Sequence, residues 1–216
     1  MTRDLFKEYS FSNRLQETSL KPSIYALCDW ELLKKKNISF EKFIQICKRF
    51  DVKLIQYRDK INSVEIQKKN LCFLKENLNV PIIINDKIEL IQFADGLHLG
   101  QEDLDSIVKN NKELSVKLIR KKIGNKILGI STHNEMEILE ANHLDLDYIG
   151  LGAYRTTTTK DVENKLGHTL SYLAKISNYP VCAIGGVKMN DRIENTTYNV
   201  IGSGLYDDME HLHAKN

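Results

Sequence analysis

Eight short apolar runs are spread along the chain: IYALC, VKLIQY, PIII, GLHL, ILGIS, YIGLG, VCAIG and NVIGSGLY. Most are apolar throughout, without the polar alternation of a half-exposed sheet, which is the pattern of strands covered on both faces. Pro22, Pro81 and Pro180 each stand at the start of such a stretch, where a strand has no ladder donor to lose. Between the runs the spacing turns helical. Phe40, Phe43, Ile44, Cys47 and Phe50 fall on one face behind Ser39 as N-cap. Leu71, Leu74 and Leu78 form a second face in a segment that opens with Asn62 and Glu65 as a capping box. Further helices are expected over 104–122, 135–142 and 166–177.

Alternation of strand and helix predicts a parallel sheet, because parallel neighbours need a crossover of about a dozen residues. Eight such units fit an α/β fold of the closed (β/α)8 TIM-barrel type over residues 23–216, with an open doubly wound sheet as the rival. Residues 1–22 form an N-terminal extension able to cover the barrel floor, and KMNDRIENTT leaves little room for a seventh helix.

Composition narrows the function classes. A chain of 216 residues buries a sizeable core as one domain. Its 31 basic and 29 acidic side chains nearly cancel, which removes the broad basic field of nucleic-acid binders and makes any anion site local. No apolar run approaches the roughly 20 residues of a membrane span, and MTRDLFKEYS lacks the apolar centre of a signal peptide, so a cytoplasmic protein is expected. Cys28, Cys47, Cys72 and Cys182 lack close CxxC spacing and read as buried free thiols. A homo-oligomer is left open.

In a barrel all strand C-termini share one rim, so the residues just past each apolar run carry information. Asp86 and Asp103 follow consecutive strands and would be rim neighbours, where two carboxylates repel unless a cation or a shared proton intervenes. Mg²⁺ is one answer, and helix capping by each acid is the other. In QYRDK, period-two geometry sends Gln56, Arg58 and Lys60 to one side and Tyr57 and Asp59 to the other. An inward Arg and Lys need an anion, or an ion pair with Asp86 or Asp103. Thr156 to Lys160 is a run of hydroxyls ending in a cation, and Gly185-Gly186 and Gly202-Ser203-Gly204 follow strands seven and eight, where barrels bind phosphate through backbone N–H groups. His133 follows a strand directly and suits either a structural hydrogen bond or proton transfer, while His98 within GLHLG reads as packing.

In order, QYRDK, IIND, HLGQED, GISTH, YIGLG, TTTTK and AIGG resemble the series Q-x-R-E-K, N-D, H-x-G-Q-E-D, G-x-S-T-H, Y-x-G-x-G, T-x-T-K and I-G-G of the thiamine phosphate synthase family, from SIYALCD to VIGSGLY. The resemblance implies a TIM barrel that joins hydroxymethylpyrimidine diphosphate to thiazole phosphate, giving thiamine monophosphate and pyrophosphate. It implies that Gln56, Tyr57, Arg58, Asp59, Lys60, Asn85, Ser131 and Lys160 hold the pyrimidine diphosphate, with Arg58, Lys60, Ser131 and Lys160 as the catalytic group and His133 beside them. Asp86 and Asp103 would bind Mg²⁺, and Thr157, Thr158, Thr159, Gly186, Gly202 and Ser203 would surround the thiazole phosphate. Asp59 stands where the family usually has Glu, Tyr57 where it has an aliphatic residue, and GSG where it has an aliphatic residue, Ser and Ala.

Loss of diphosphate from a benzylic-type carbon needs charge stabilisation and alignment, with no protein nucleophile, which agrees with the lack of an activated Ser or Cys motif. Two alternatives stand beside this reading. One is a thiazole tautomerase of the same superfamily, with His133 as proton carrier, and the other a non-catalytic binder of thiamine precursors. Retention of Arg58, Lys60, Asp86, Asp103 and Lys160 favours the synthase, since an isomerase has no diphosphate to hold.

Overall fold

Eight parallel strands close on one another in chain order, so that every strand edge is paired. They are β1 (Ser23–Asp29), β2 (Leu54–Arg58), β3 (Ile82–Asn85), β4 (Gly96–Leu99), β5 (Ile127–Thr132), β6 (Tyr148–Leu151), β7 (Val181–Ala183) and β8 (Tyr198–Ile201). The computed structural model describes Phe6 and residues 22–156 and 165–206. The three prolines immediately precede β1, β3 and β7. Proline lacks a donor but keeps its acceptor: the carbonyls of Pro81 and Pro180 accept from Ile55 and Ile149 N–H, each at 3.1 Å.

The outer layer holds α1 (Trp30–Lys35), α2 (Phe40–Arg49), α3 (Val64–Asn77), a 3₁₀ helix (Ile88–Phe93), α4 (Gln101–Ile107), α5 (Lys112–Ile123), α6 (Glu135–Ala141) and α7 (Thr169–Lys175). Ser39 caps α2 as expected, accepting from Lys42 N–H at 3.2 Å. The start of α3 differs from expectation. Ser63 is its N-cap, accepting from Ile66 N–H at 3.4 Å. Asn62 instead joins a turn in which Asp59 accepts from the backbone N–H groups of Ile61 and Asn62 and from the Asn62 amide. The helix expected over 104–122 is two helices. Asn111 caps α5 through Leu114 N–H, and Ser115 ties the break together by donating to Leu104 C=O at 2.7 Å and accepting from Val108 N–H at 3.1 Å. Among the described residues no helix lies between β7 and β8. Asn199 on β8 holds that short connection, donating to the carbonyls of Lys188 and Asp191.

Strand parity divides the core. Outward residues such as Ile55, Ile82, Ile84 and Leu97 pack under the helices, whereas Tyr25, Leu54, Ile83, Ile127, Tyr148, Cys182, Tyr198 and Val200 fill the barrel. Small residues make room for the rings: a Cβ on Gly129 would lie 2.1 Å from the Tyr148 ring. Phe6, from the extension, is buried in this inner cluster, stacked on Tyr148 at 5.0 Å between centroids and tilted against Tyr198 at 5.7 Å. Both tyrosines are first residues of their strands, so Phe6 sits at the barrel floor. All four cysteines are free, with Cys72 half-buried and the others buried. Among the described residues, no helix is long and apolar enough to cross a membrane.

Candidate active site

The inward parity that fills the barrel also sends the last inward residue of each strand to the opposite rim. Asp29 and Arg58 end β1 and β2 in register, and Arg58 Nη1 donates to Asp29 Oδ2. The other Asp29 oxygen accepts from Leu32 N–H at 3.0 Å and caps α1. Asp29 is 2% exposed and Arg58 22%, so the carboxylate is the fixed anchor and the guanidinium the part open to the mouth. The ion pair that stood as the alternative to anion binding, with Asp86 or Asp103, is made by Arg58 with Asp29. Asp29 and Arg58 meet directly across two paired strands, a register that spacing along one strand does not reveal.

Asp86 follows β3 in a left-handed conformation, φ +62°, with its N–H donating to His98 C=O at 3.0 Å. Asp103 lies in the first turn of α4, where one oxygen accepts from Gly100 N–H at 2.7 Å, as the capping reading has it. It also meets Asp86. The Asp86 carboxyl is raised from 3.8 to about 6, first by burial, then by the charge of Asp103 and a hydrogen bond to it, while Lys60 and Arg58 pull it down. Arg58, Lys60, Asp86 and Asp103 therefore share one mouth.

Two facing carboxylates fit Mg²⁺, which takes oxygen ligands from one or two acids and completes its octahedron with water and substrate phosphate. Among the described residues no cluster of three or more His, Cys, Asp or Glu forms an all-protein cage.

Deeper in the mouth, Ser131 Oγ lies 3.0 Å from His98 Nε2, and Gln101 Nε2 donates to Ser131 C=O at 2.5 Å. His98 Nδ1 is 2.9 Å from Tyr148 Oη. Gln56 Nε2 donates to Tyr25 Oη at 3.1 Å. Burial pushes the His98 imidazole down to about 4, against the smaller pull of Asp103. His98 is thus a buried polar link, where the sequence suggested packing. Its inward parity with Gly96 was the available signal, but its partners come from other strands.

Three expected substrate contacts turn elsewhere. Tyr57 donates to Asp59 at 2.8 Å, accepts from Asn70 at 2.9 Å, and lies near Phe40, so both Tyr57 and Asp59 belong to the helix side of the wall, as odd parity dictates. His133 is exposed, and its Nδ1 and backbone N–H both meet Glu137 Oε2 at 2.9 Å on the first turn of α6. This i,i+4 pairing holds the ring against a helix end.

Asn85 ends β3, half-buried and in register with His98. Gly186 has φ +63°, and a Cβ there would lie 2.6 Å from Thr156 C=O, so glycine lets the loop after β7 press against the loop after β6. Arg155 spans these loops, donating to Gly186 C=O at 3.1 Å and to both Asp191 oxygens at 2.5 and 3.0 Å. Gly202 and Ser203 follow β8, their carbonyls accepting from Leu205 and Tyr206 N–H. Thr157, Thr158, Thr159 and Lys160 lie outside the described residues.

Fold and rim together define a (β/α)8-barrel enzyme. Residues 24–203 match the family described as thiamine monophosphate synthase, and the chain belongs to that family, a family of transferases in thiamine biosynthesis. It is similar to the thiamine-phosphate synthases of Persephonella marina, 33% identical over 197 residues covering 86% of this chain and 88% of that one, and of Clostridium tetani, 30% identical over 184 residues covering 82% of each. Its fold aligns with the thiamine phosphate pyrophosphorylase of Pyrococcus furiosus at a TM-score of 0.66 and 19% identity, over 89% of this chain and 97% of that one.

Proposed function

We propose that this chain condenses 4-amino-2-methyl-5-hydroxymethylpyrimidine diphosphate with thiazole phosphate, forming thiamine monophosphate and releasing pyrophosphate in the cytoplasm. The observation that carries this reading is the meeting of Arg58 and Lys60 with the Asp86–Asp103 pair at one mouth. An isomerase has no use for that charge arrangement, and His133, its natural proton carrier, is engaged with Glu137.

Asp86 and Asp103 would hold Mg²⁺, which supplies charge neutralisation for the departing diphosphate. Arg58, oriented by Asp29, offers its fork to diphosphate oxygens, and Lys60 and Lys160 add compact positive charge. Gln56, Asn85 and Ser131 face the pyrimidine. Gly186, Gly202 and Ser203, with Thr157, Thr158 and Thr159 as the resemblance has it, would bind the thiazole phosphate and so aim its ring nitrogen at the pyrimidine methylene carbon. That nitrogen supplies the electron pair of the new C–N bond as the C–O bond to diphosphate breaks. The chain supplies no nucleophile. Burial pushes the thiols of Cys28 and Cys182 far up and that of Cys47 to about 12, so none is a thiolate at neutral pH.

The purified chain, given both substrates and Mg²⁺, is expected to release pyrophosphate and thiamine monophosphate in equal amounts, and to lose this activity with EDTA or as Asp86→Ala. Turnover that survives both treatments would remove the metal role. Substrate binding without product would favour the binder.

A further inference from the structure

A line of hydrogen bonds crosses the barrel from Gln56 to Ser131 through three side chains that the proposed chemistry does not use. Gln56 Nε2 lies 3.1 Å from Tyr25 Oη, Tyr25 Oη 3.0 Å from Tyr148 Oη, Tyr148 Oη 2.9 Å from His98 Nδ1, and His98 Nε2 3.0 Å from Ser131 Oγ. The five residues come from five different strands, β2, β1, β6, β4 and β5.

The donor at one end sets the direction of the whole line. An amide nitrogen only donates, so Tyr25 accepts from Gln56. The Tyr25 hydrogen then finds its acceptor in Tyr148. Run the other way, the line would leave that hydrogen buried without an acceptor, which is the costly arrangement. Tyr148 must therefore donate to His98 Nδ1, and Nδ1 must be bare. A neutral imidazole carries its single hydrogen on the other nitrogen, so Nε2–H donates to Ser131 Oγ. The order is fixed by the bonds alone: a ring whose Nδ1 accepts from Tyr148 carries one hydrogen, and each hydroxyl in the line passes its own hydrogen to the next member. Ser131, accepting from His98, has its own hydrogen to give outward.

We infer that Tyr25, Tyr148 and His98 are positioning residues that fix Ser131 as a hydrogen-bond donor toward the substrate, so that Ser131 meets an acceptor such as a pyrimidine ring nitrogen. The substrate half rests on the reading that Ser131 faces the pyrimidine, whereas the order of hydrogens inside the barrel does not.

Two-bond ¹⁵N–¹H correlation spectra of histidine-labelled protein at pH 7, without substrate, read the tautomer directly. Substitution of His133, His143, His168, His211 and His213 removes the signals that compete with His98. The expected result is a His98 ring with hydrogen on Nε2. Hydrogen on Nδ1 in the native protein would overturn the inference. Gln56→Glu places an acceptor beside Tyr25 and should move the hydrogen to Nδ1; an unchanged tautomer in this folded variant also overturns it. Tyr25→Phe, checked for native circular dichroism, should lower kcat/KM about three- to tenfold, the scale of one lost hydrogen bond, and leave KM for thiazole phosphate unchanged. Unaltered kinetics in that variant would reduce the line to a structural feature. An Nε2–H signal in a protein without coupling activity would sink the proposed function and spare the hydrogen-bond order.

Discussion

Asp86 combines a left-handed backbone, a half-buried carboxylate and an acidic neighbour, and each of the three opposes folding. Its folded value of about 6 stands above the ordinary 3.8. Stability from its protonated form is therefore complete below about pH 4 and lost as pH rises through 6. Mg²⁺ competes for the same oxygen, so its apparent affinity should fall about tenfold per pH unit below pH 6 and level off above it. Titration calorimetry from pH 5 to 8 checks this. Asn shares the left-handed tolerance of Asp but carries no charge. Asp86→Asn should thus stabilise the metal-free protein by roughly 1 to 2 kcal/mol at pH 7.5 in urea denaturation, an order-of-magnitude expectation, while abolishing Mg²⁺-dependent turnover. A less stable variant would show that burial of the charge and repulsion from Asp103 do not together oppose folding at this position.

Arg58 gives a second prediction at the same scale. Asp29→Asn keeps a good N-cap for α1 but removes the charge that holds the guanidinium. It should raise KM for the pyrimidine diphosphate roughly tenfold, about 1.4 kcal/mol of binding, with a smaller effect on melting temperature than Asp29→Ala. Equal melting losses in the two variants would mean that the cap contributes nothing. That Arg58, Lys60, Asp86 and Asp103 gather at one mouth was legible because strand ends share a rim, while Lys160 lies outside the described residues. The Asp29 anchor and the Gln56-to-Ser131 line were not, since both depend on which strands pair and in what register. Tyr57 and Asp59 show the reverse: their odd parity already pointed outward, and the motif resemblance drew them into the site.

At the scale of elements, all eight strands were readable from continuous apolar runs, and the prolines marked three of their starts. The helices were less so. Ser115 bonds across the break at 108–111, which a window over 104–122 cannot see, and Asp59 takes Asn62 away from the start of α3. The loops after β6 and β7 are joined by Arg155 and Asp191, with Lys188 N–H also donating to Asp191 at 2.7 Å. The pair is substantially exposed on its Arg side, so Asp191→Ala should cost under about 1 kcal/mol of stability. Its effect should fall on placement of the segment that leads into Thr157: KM for thiazole phosphate rises several-fold and KM for the pyrimidine diphosphate stays put. Equal changes in both constants would argue that the loops do not act as a separate thiazole-binding unit.

Over the whole molecule the barrel separates its tasks by end, with charge chemistry at the C-terminal mouth and aromatic packing at the floor. Phe6 tests that division because it belongs to the extension and yet is 3% exposed, stacked on Tyr148. Removing its ring leaves a cavity that the surrounding tyrosines, fixed on separate strands, cannot fill by collapse. Phe6→Ala should therefore lose about 3 to 5 kcal/mol in urea denaturation. The upper part of Tyr148 is held independently, its hydroxyl bonded to Tyr25 and His98. If those bonds suffice to hold the ring, kcat and both KM values of Phe6→Ala at low temperature should stay within about threefold of the native enzyme, under the worth of a single hydrogen bond. A stable Phe6→Ala would place the ring outside the folding core, and a stable fold with collapsed kcat would tie the floor to the mouth through Tyr148.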